Sequence, residues 1–290
     1  MKPQHLALIL LIDVIWAFNI VAVKYSVMEM GALASVCVRY IFVLVICLPW
    51  LKWLPGKMTL ILAAGIIGGA MSFGLAGLSF ALADNVASLA IAGQLGVPFS
   101  LILAVIVLKE RIHWPRIFGI LLAFAGVGIL SFDPHVFDER IALLLTVAAS
   151  FCWAVSSLLF RNLKGVSALT IHAWLAVVSI PLLAGASAIF EPGEIAGVAD
   201  VPLSTFGWLA YSAIGASIVG HVGMSWLLQR YPVSTLSPLT LPTPLLSAII
   251  AVAVLGNPVS PQLVAGGVVA LVGVAIITIR TAQAREAKPA

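Results

Sequence analysis

The sequence has 290 residues, of which 62% are hydrophobic and 9% are charged, and its mean hydropathy is +1.17. Soluble domains are roughly 45–50% apolar and about 25% charged, so a water-soluble globular fold is excluded. The net charge of +4 comes from basic residues scattered singly between apolar stretches, and this pattern does not form a nucleic-acid-binding surface.

In chain order, ten apolar stretches are long enough to cross a bilayer, since about 20 residues span its hydrocarbon core. The predicted helices cover Leu6–Val23, Gly31–Trp50, Met58–Leu82, Val86–Leu108, Pro115–Phe132, Ile141–Phe160, Leu169–Phe190, Phe206–Leu228, Val233–Leu255 and Gln262–Ile279. Helices three and four separate at the turn Asp84-Asn85, and helices eight and nine at Arg230-Tyr231-Pro232. The first stretch is longer than the apolar core of a signal peptide, which predicts an uncleaved first helix.

The basic residues predict the orientation, because short cytoplasmic loops are enriched in Lys and Arg. With both termini inside, the external segments hold only Lys24 and Arg140, and Arg39 lies within helix two. The cytoplasmic segments hold Lys2, Lys52, Lys57, Lys109, Arg111, Arg116, Arg161, Lys164, Arg230, Arg280, Arg285 and Lys288. Acidic residues show the opposite bias and fall mainly in the external segments. The sequence therefore predicts a multi-pass protein of the bacterial cytoplasmic (inner) membrane with both termini cytoplasmic.

The two halves of the sequence resemble each other. Trp16-Ala17, followed by Lys24, matches Trp153-Ala154, followed at the same distance by Arg161. The other matches pair Gly74, Ser79 and Phe80 with Gly220, Ser225 and Trp226; Gln94 and Pro98 with Thr240 and Pro244; and Gly119 and Gly126 with Gly266 and Gly273. Each half carries five helices, and because five is odd the second half enters the membrane upside down.

The predicted fold is an all-α integral membrane protein with ten transmembrane helices in two five-helix inverted-topology repeats. The first repeat covers residues 1–132, an external linker covers 133–140, the second repeat covers 141–280 and a cytoplasmic tail covers 281–290. Inverted repeats are the physical basis of many alternating-access transporters. A duplicated structural scaffold without transport is the alternative.

Several motifs resemble the EamA-type branch of the drug/metabolite transporter superfamily. They are Trp16-Ala17-x-Asn19 in helix one, Arg39-Tyr40 in helix two, Leu108-Lys109-Glu110-Arg111-Ile112 after helix four, and a Gly-rich helix five. The resemblance covers essentially the whole chain. It implies a ten-helix, two-repeat fold with a central cavity lined by helices one to four and six to nine, and export of small metabolites, often amino acids or their derivatives.

The sequence departs from this pattern at three positions. Asn257 stands at the second-half counterpart of Glu110, the second half lacks a counterpart of Arg39, and Asp13 occupies a position that is commonly apolar in the family. These departures concern the substrate and the coupling ion rather than the fold.

Two ionisable residues lie within the first two predicted helices, Asp13 and Arg39. Charged groups in hydrocarbon are costly, so they usually face a bundle interior or a wet cavity. Asp13 is a candidate for proton coupling and Arg39 for anchoring a substrate carboxylate beside Tyr40. Because the two lie at similar depths, a structural salt bridge between them is the alternative.

Two helical faces are predicted to line a cavity. Trp16 and Asn19 share one face of helix one with Ile20 and Val23, at i, i+3, i+4 and i+7. The repeat places Trp153, Ser156, Ser157 and Phe160 on the matching face of helix six. An aromatic ring next to a hydroxyl or amide suits an amphipathic ligand, whereas simple helix packing is the alternative.

Prolines mark equivalent places in helices four and nine. Gln94 and Pro98 in helix four match Thr240 and Pro244 in helix nine, where Ser237 shares the polar face. Proline removes a backbone donor, so both helices are predicted to carry a binding site or a gate with Pro98 and Pro244 as hinges. Simple curvature is the alternative.

His221, near the middle of helix eight, is a second candidate for proton coupling and a cavity residue, because an imidazole titrates near neutrality. A hydrogen-bonded core histidine is the alternative, as it is for His172. The sequence holds no catalytic or phosphate-binding motif and no metal-ligand cluster, so we expect no enzyme activity, cofactor or metal.

These features predict a secondary transporter that exports small metabolites, most simply amino acids or derivatives, by alternating access. The expected partners are that small molecule, membrane lipid and protons, with facilitated diffusion without protons left open. One alternative is an importer of a nucleotide-sugar or phosphorylated solute. Another is a non-transport membrane subunit or an intramembrane enzyme.

Overall fold

The computed structural model describes residues 1–109, 112–134, 136–163, 165–228, 230–231 and 236–286. These residues form ten long helices and no strands. The helices are α1 Pro3–Met30, α2 Ala32–Cys47, α3 Met58–Leu82, α4 Val86–Val107, α5 Trp114–Leu130, α6 Arg140–Arg161, α7 Ala168–Phe190, α8 Leu203–Leu227, α9 Pro242–Leu255 and α10 Pro261–Glu286. The predicted all-α membrane fold is confirmed.

Eight of the ten helices, counted over the described residues, are long and apolar enough to cross a membrane. The two shorter apolar helices are α5 and α9. The 14 residues of α9 reach about 21 Å, and a 3₁₀ turn at Ser237–Thr240 precedes them. The predicted start of this helix at Val233 lies outside the described residues, as do Glu110, Arg111, Lys164 and Lys288.

The first helix is longer than the sequence predicted, and this changes the position of Lys24. Because α1 continues to Met30, Lys24 is buried inside the bundle rather than in an external loop. Its Nζ donates hydrogen bonds to the carbonyls of Phe80, at 3.1 Å, and Ala83, at 2.6 Å. A cation therefore satisfies the carbonyls at the end of α3, which have no partner within their own helix.

Helices α5 and α10, which are equivalent in the two repeats, pack against each other through glycine. A Cβ at Gly119 would lie 2.8 Å from the carbonyl oxygen of Gly273, and one at Gly126 would lie 2.5 Å from that of Gly266. Residue numbers rise along α5 as they fall along α10, so the equivalent helices run antiparallel. This is the geometry expected of inverted repeats.

The most extensive of the other helix contacts obey the same two-fold relation. Helix α1 packs against α8 and α9, and its counterpart α6 packs against α3 and α4. Helix α2 packs against its own counterpart α7, and α4 against α9. Exchanging the two repeats therefore converts each of these contacts either into another of them or into itself.

Both repeats interrupt the α-helix at equivalent positions. A π-helical segment covers Gly65–Met71 in α3 and another covers Tyr211–Val222 in α8. A 3₁₀ turn covers Gly93–Leu95 in α4, and Ser237–Thr240 precedes α9. Such interruptions are frequent at functional sites.

The prolines lie just after these 3₁₀ turns. Pro98 is the third residue of the α-helical part of α4 that begins at Gly96, and Pro244 is the third residue of α9. Proline is tolerated in a first turn because its missing N–H would have no intrahelical partner there. In α4 the carbonyl of Gly93 accepts a hydrogen bond from Ser150 Oγ at 3.1 Å, so a neighbouring helix satisfies the interrupted backbone.

Candidate substrate-binding site

Two cavities lie within the helix bundle. The large cavity, about 600 Å³ in volume, is lined by Arg39, Tyr40, Val43, Phe73, Trp153, Phe160, Leu163, Gly165, Val166, Ala168, Ile171, His172, Leu175, Ser217, His221, Met224 and Ser225. The small cavity, about 220 Å³ in volume, is lined by Trp16, Asn19, Ile20, Val23, Ser26, Ser35, Val36, Arg39, Phe73, Ala76, Gly77, Phe80, Ala90, Leu209, Ser212 and Ser247. Arg39 and Phe73 belong to both walls.

The two cavities use equivalent positions of the two repeats. Trp16, Val23 and Ser35 line the small cavity. The residues at the same separation in the second repeat, which are Trp153, Phe160 and His172, line the large cavity. The walls of the two cavities therefore use some equivalent positions of the two repeats, and the cavities differ in volume.

Arg39 lies where the two cavities meet. Its Nη2 donates a hydrogen bond of 2.8 Å to Ser217 Oγ on α8, and its guanidinium lies 4.7 Å from the ring centroid of Phe73 on α3. Arg39 is 7% exposed. Because it lies within the bundle and no acidic side chain contacts it among the described residues, this buried cation is available to an anionic group entering from either cavity.

Four aromatic side chains, Tyr40, Phe73, Trp153 and Phe160, pack together in the wall of the large cavity. The Phe73 ring makes edge-to-face contacts with Tyr40 and Trp153, with centroids 5.9 Å apart in each case. Trp153 also packs edge to face against Phe160 at 6.1 Å. Edge-to-face packing fixes ring orientation, so the wall is a preformed apolar surface next to one cation.

His221 connects the aromatic side chains of α1, α6 and α7. Its ring lies 5.3 Å from Trp16, 5.7 Å from Trp153 and 5.7 Å from His172. Trp16 Nε1 donates a 3.1 Å hydrogen bond to the carbonyl of Ala216 in the π segment of α8. The π segment of α8 therefore positions His221 between the two repeat-related tryptophans.

The small cavity is lined by the predicted face of α1. Trp16, Asn19, Ile20 and Val23 all contribute to its wall, and Asn19 Oδ1 accepts a hydrogen bond from Ser212 Oγ. The structure thus brings this face to a cavity, while its role in substrate binding stays a prediction.

Asp13 lies outside the walls of both cavities. Its Oδ1 accepts a 2.8 Å hydrogen bond from Thr243 Oγ1 at the start of α9, and it is 1% exposed. Its Oδ2 has no hydrogen-bond partner among the described residues. Arg39 is bonded to Ser217 instead, so the alternative of an Asp13–Arg39 salt bridge does not form in this conformation.

The remaining predicted residues fall into two groups. Tyr40, Trp153 and His221 line the large cavity, as does Arg39. The walls of the two cavities do not include Gln94, Pro98, Ser156, Ser157, Thr240 or Pro244.

Ser156 and Ser157 face away from the cavities because of helix packing. Ser156 is fully buried, and a Cβ at Gly68 of α3 would overlap its hydroxyl. Ser157 Oγ donates 2.9 Å to the carbonyl of Trp153 in its own helix. The side chain of Ser237 lies outside what the structure describes.

Two residues of the large cavity were not among the predicted cavity residues. Phe73 is an ordinary aromatic residue in an apolar helix, and it follows the π segment of α3 directly. His172 lies one turn into α7, where its Nδ1–H donates 2.8 Å to the carbonyl of Ala168. Comparing His172 with its repeat partner Ser35 is the one pattern that could have drawn attention to it.

The model of the EamA-like transporter family matches the chain twice, at residues 5–132 and 140–279. The chain belongs to the EamA-like transporter family. The resemblance found in the sequence is therefore confirmed, and the protein is a multi-pass membrane transporter. Among the described residues, no group of three or more His, Cys, Asp or Glu side chains could hold a metal ion.

Several curated EamA relatives resemble the chain over most of its length. A probable amino-acid metabolite efflux pump of Salmonella typhimurium is 26% identical, with 93% of each chain covered. A protein of the same name from Escherichia coli K12 is 26% identical, with 95% of each chain covered. A probable terminal-alkyne amino-acid exporter of Streptantibioticus cattleyicolor is 27% identical over 63% of this chain and 61% of its own.

One solved crystal structure covers the full length of both chains with a TM-score of 0.66 at 16% identity. At this identity the likeness establishes the fold alone, and it agrees with the ten-helix EamA architecture described above.

Proposed function

We propose that this EamA transporter exports amino acids or their derivatives by alternating access. The observation that carries the proposal is the pair of repeat-related cavities that meet at Arg39 and Phe73. An inverted repeat can adopt two conformations that exchange which end is open. In the conformation described here, the wide end lies at the α6–α7 turn, where Leu163, Gly165 and Val166 line the large cavity.

The substrate class follows from the chemistry of the large cavity. A volume of about 600 Å³ falls in the range of small-molecule sites. The Arg39 guanidinium supplies a cation for a carboxylate, and Trp153 and Phe160 supply an apolar wall. The printed names of the relatives, two amino-acid metabolite efflux pumps and one amino-acid exporter, support both the substrate class and outward transport.

An importer of nucleotide-sugars or phosphorylated solutes is less well supported. A phosphate carries up to two charges and is usually met by several donors, whereas Arg39 is the one Lys or Arg side chain in the described lining of either cavity. A non-transport subunit would not require two cavities built from equivalent positions. An intramembrane enzyme would require a convergent nucleophile, acid or metal group.

Counterflow in proteoliposomes tests the proposal. Labelled amino acids with aromatic, aliphatic and sulfur-containing side chains would be offered to vesicles preloaded with the same unlabelled compound. We expect saturable uptake of one class. Trp153→Ala should raise KM about tenfold, because it removes a face of the cavity, whereas Trp114→Ala, at an exposed position, should leave KM unchanged. The absence of counterflow from folded protein for every class would overturn amino-acid export.

The orientation is part of the same proposal. The excess of basic residues places both termini and the α6–α7 turn in the cytoplasm, so the large cavity faces the cytoplasm. The native cysteines Cys37, Cys47 and Cys152 are buried, which leaves a low background for thiol labelling. In intact cells an impermeant reagent should label Ala199→Cys at once and Lys52→Cys only after permeabilisation; the reverse order would invert the topology.

The division into two repeats at 1–132 and 141–280, with a linker at 133–140 and a tail at 281–290, remains part of the proposal.

Proton antiport is a further hypothesis that rests on Asp13 and His221, and facilitated diffusion is the alternative. Asp13 lies where α1 meets the first turn of α9, so a change in its protonation would act on the contact between the two repeats.

A further inference from the structure

The charged groups of the large cavity are unbalanced. Its described lining includes Arg39 and the two imidazoles of His172 and His221, but no Asp or Glu. The buried acids of the described chain have other partners. Asp13 is bonded to Thr243 outside the cavity wall, and Asp133 accepts a hydrogen bond from Ser260. A substrate carboxylate has a counter-ion in this cavity, whereas a substrate ammonium group has none.

The acceptors that the described wall offers to an ammonium group are all neutral. Ser217 Oγ accepts from Arg39, and Ser225 Oγ donates to the carbonyl of His221 in its own helix. The Tyr40 hydroxyl is hydrogen bonded to Ser179. An ammonium group carries a full charge as well as three donors, and neutral acceptors do not replace the counter-ion that a buried charge requires.

The aromatic faces do not replace the missing counter-ion. The Arg39 guanidinium already occupies the face of Phe73 at 4.7 Å. Trp153 makes edge-to-face contacts with Phe73 and Phe160 at 82° and 74° and a tilted contact with His221 at a centroid distance of 5.7 Å. An aromatic face attracts a cation more weakly than a carboxylate does, so the wall beside Trp153 suits an apolar group better than a second cation.

We propose that the large cavity selects amphipathic monocarboxylates that lack a free ammonium group, such as N-acylated amino acids or 2-oxo acids, over zwitterionic amino acids. This selectivity rests on the proposed function, because it defines which amino-acid derivatives the transporter takes. The Arg39 guanidinium binds the carboxylate, the aromatic wall contacts the apolar side chain, and a neutral amide or ketone replaces the ammonium group.

Equilibrium binding to purified protein in nanodiscs tests this selectivity with one side chain in four charge states. The ligands are N-acetylphenylalanine, phenylalanine, phenethylamine and N-acetylphenylalanine methyl ester. We expect N-acetylphenylalanine to bind about tenfold or more tightly than phenylalanine, and the amine and the ester to bind more weakly than either. Phenylalanine binding as tightly as N-acetylphenylalanine would overturn the proposal.

Two variants and one control test whether the selectivity arises in the large cavity. Arg39→Gln should remove the preference for the anion, whereas Arg230→Gln, which removes the same charge from an exposed side chain stacked on Trp226, should retain it. Ser225→Asp adds an acid to the cavity wall and should shift the preference toward phenylalanine. A preference that survives Arg39→Gln in folded protein would contradict the assignment.

Counterflow of the same compounds separates this inference from the proposed function. Selective binding of N-acetylphenylalanine without counterflow of any compound would retain the selectivity and overturn transport of this class. Counterflow of phenylalanine with no preference for its N-acetyl derivative would retain amino-acid export and overturn the selectivity.

Discussion

Glu191 shows how one acidic residue can organise a helix end. Its carboxylate accepts hydrogen bonds from the backbone N–H groups of Ala32, Leu33 and Ala34, at 2.8 to 3.2 Å. These are N–H groups of the first turn of α2, which have no partner within the helix. The negative charge also complements the positive end of the helix dipole. Glu191 therefore joins the end of α7 to the start of its repeat partner α2.

Removing this charge should destabilise the bundle. We expect Glu191→Gln to lower the free energy of unfolding by about 1–2 kcal/mol, because an amide provides one neutral acceptor oxygen where the carboxylate provides two charged ones. Asp200→Asn, at an exposed position, is the charge-matched control and should have little effect. Thermal unfolding in detergent measures both, and equal stability of the two variants would contradict the capping role.

Other acidic side chains also contribute to the capping of helix ends. Glu139 accepts from the backbone N–H groups of Asp84 and Asn85 at the start of α4. Asp133 accepts from Ser260, whose Oγ caps α10 through the N–H of Leu263. The acidic bias that the sequence showed on one side of the membrane is therefore also a set of helix caps, which hydropathy and charge counting did not reveal.

At the scale of elements, α5 and α10 form a close antiparallel pair. Their glycines let the two backbones approach, since van der Waals packing rather than the hydrophobic effect holds helices together in lipid. The repeat pattern had already matched Gly119 with Gly266 and Gly126 with Gly273. What it did not show is that the pairs in contact are Gly119 with Gly273 and Gly126 with Gly266.

Adding one methyl group to this contact should be costly. A Cβ at Gly126 would lie 2.3 Å from the backbone nitrogen of Ala270, and a backbone atom cannot move aside as a flexible side chain can. We expect Gly126→Ala to lower stability by about 1–3 kcal/mol. Gly128 has no neighbouring atom within 4 Å of such a Cβ, so Gly128→Ala should be neutral or slightly stabilising. Unfolding midpoints of the two variants that coincide would contradict this packing.

The π-helical segments of α3 and α8 are the second feature at the scale of elements. The π segments of α3 and α8 bring Phe73 and His221 to the cavity that Arg39 shares, because a wider turn shifts the direction of every later side chain. Ser217 and His221, four residues apart in the π segment of α8, both line the large cavity. Within the π segment, Ser217 Oγ lies 3.4 Å from the carbonyl of Ser212, five residues earlier.

For the whole molecule, a symmetric scaffold carries asymmetric chemistry. The helices obey a two-fold relation, but the side chains at equivalent positions differ. The position in α7 that is equivalent to Arg39 holds no basic residue, and His172 stands at the position equivalent to Ser35. In the described lining, the charged and titratable groups therefore concentrate at the large cavity and at its boundary with the small one.

The hypothesis of proton coupling also belongs to the scale of the whole molecule. If Asp13 carries the proton, Asp13→Asn should retain counterflow, because the amide oxygen can still accept from Thr243, but it should lose the response of net efflux to an imposed pH gradient. His221→Gln should then retain that response. Loss of the response in His221→Gln alone would assign the proton to His221, and a wild-type protein insensitive to the gradient would favour facilitated diffusion.

The sequence by itself determined the fold class, the position of all ten helices to within a few residues at most ends, and the internal repeat. Hydropathy is a sum over neighbouring side chains and the bilayer sets the length of each helix, so these features are local. The face of α1 with Trp16 and Asn19 was also readable, because an α-helix of regular period fixes which residues share a side.

Only the tertiary structure decided where the cavities lie and which residues meet there. Arg39, Phe73, Trp153 and His221 come from four helices that are distant in the sequence, and two of those helices change their period just before or at the residue concerned. The sequence placed Ser156 on a cavity wall, whereas close packing against Gly68 buries it. Such outcomes depend on the approach of whole helices, which no local pattern of side chains specifies.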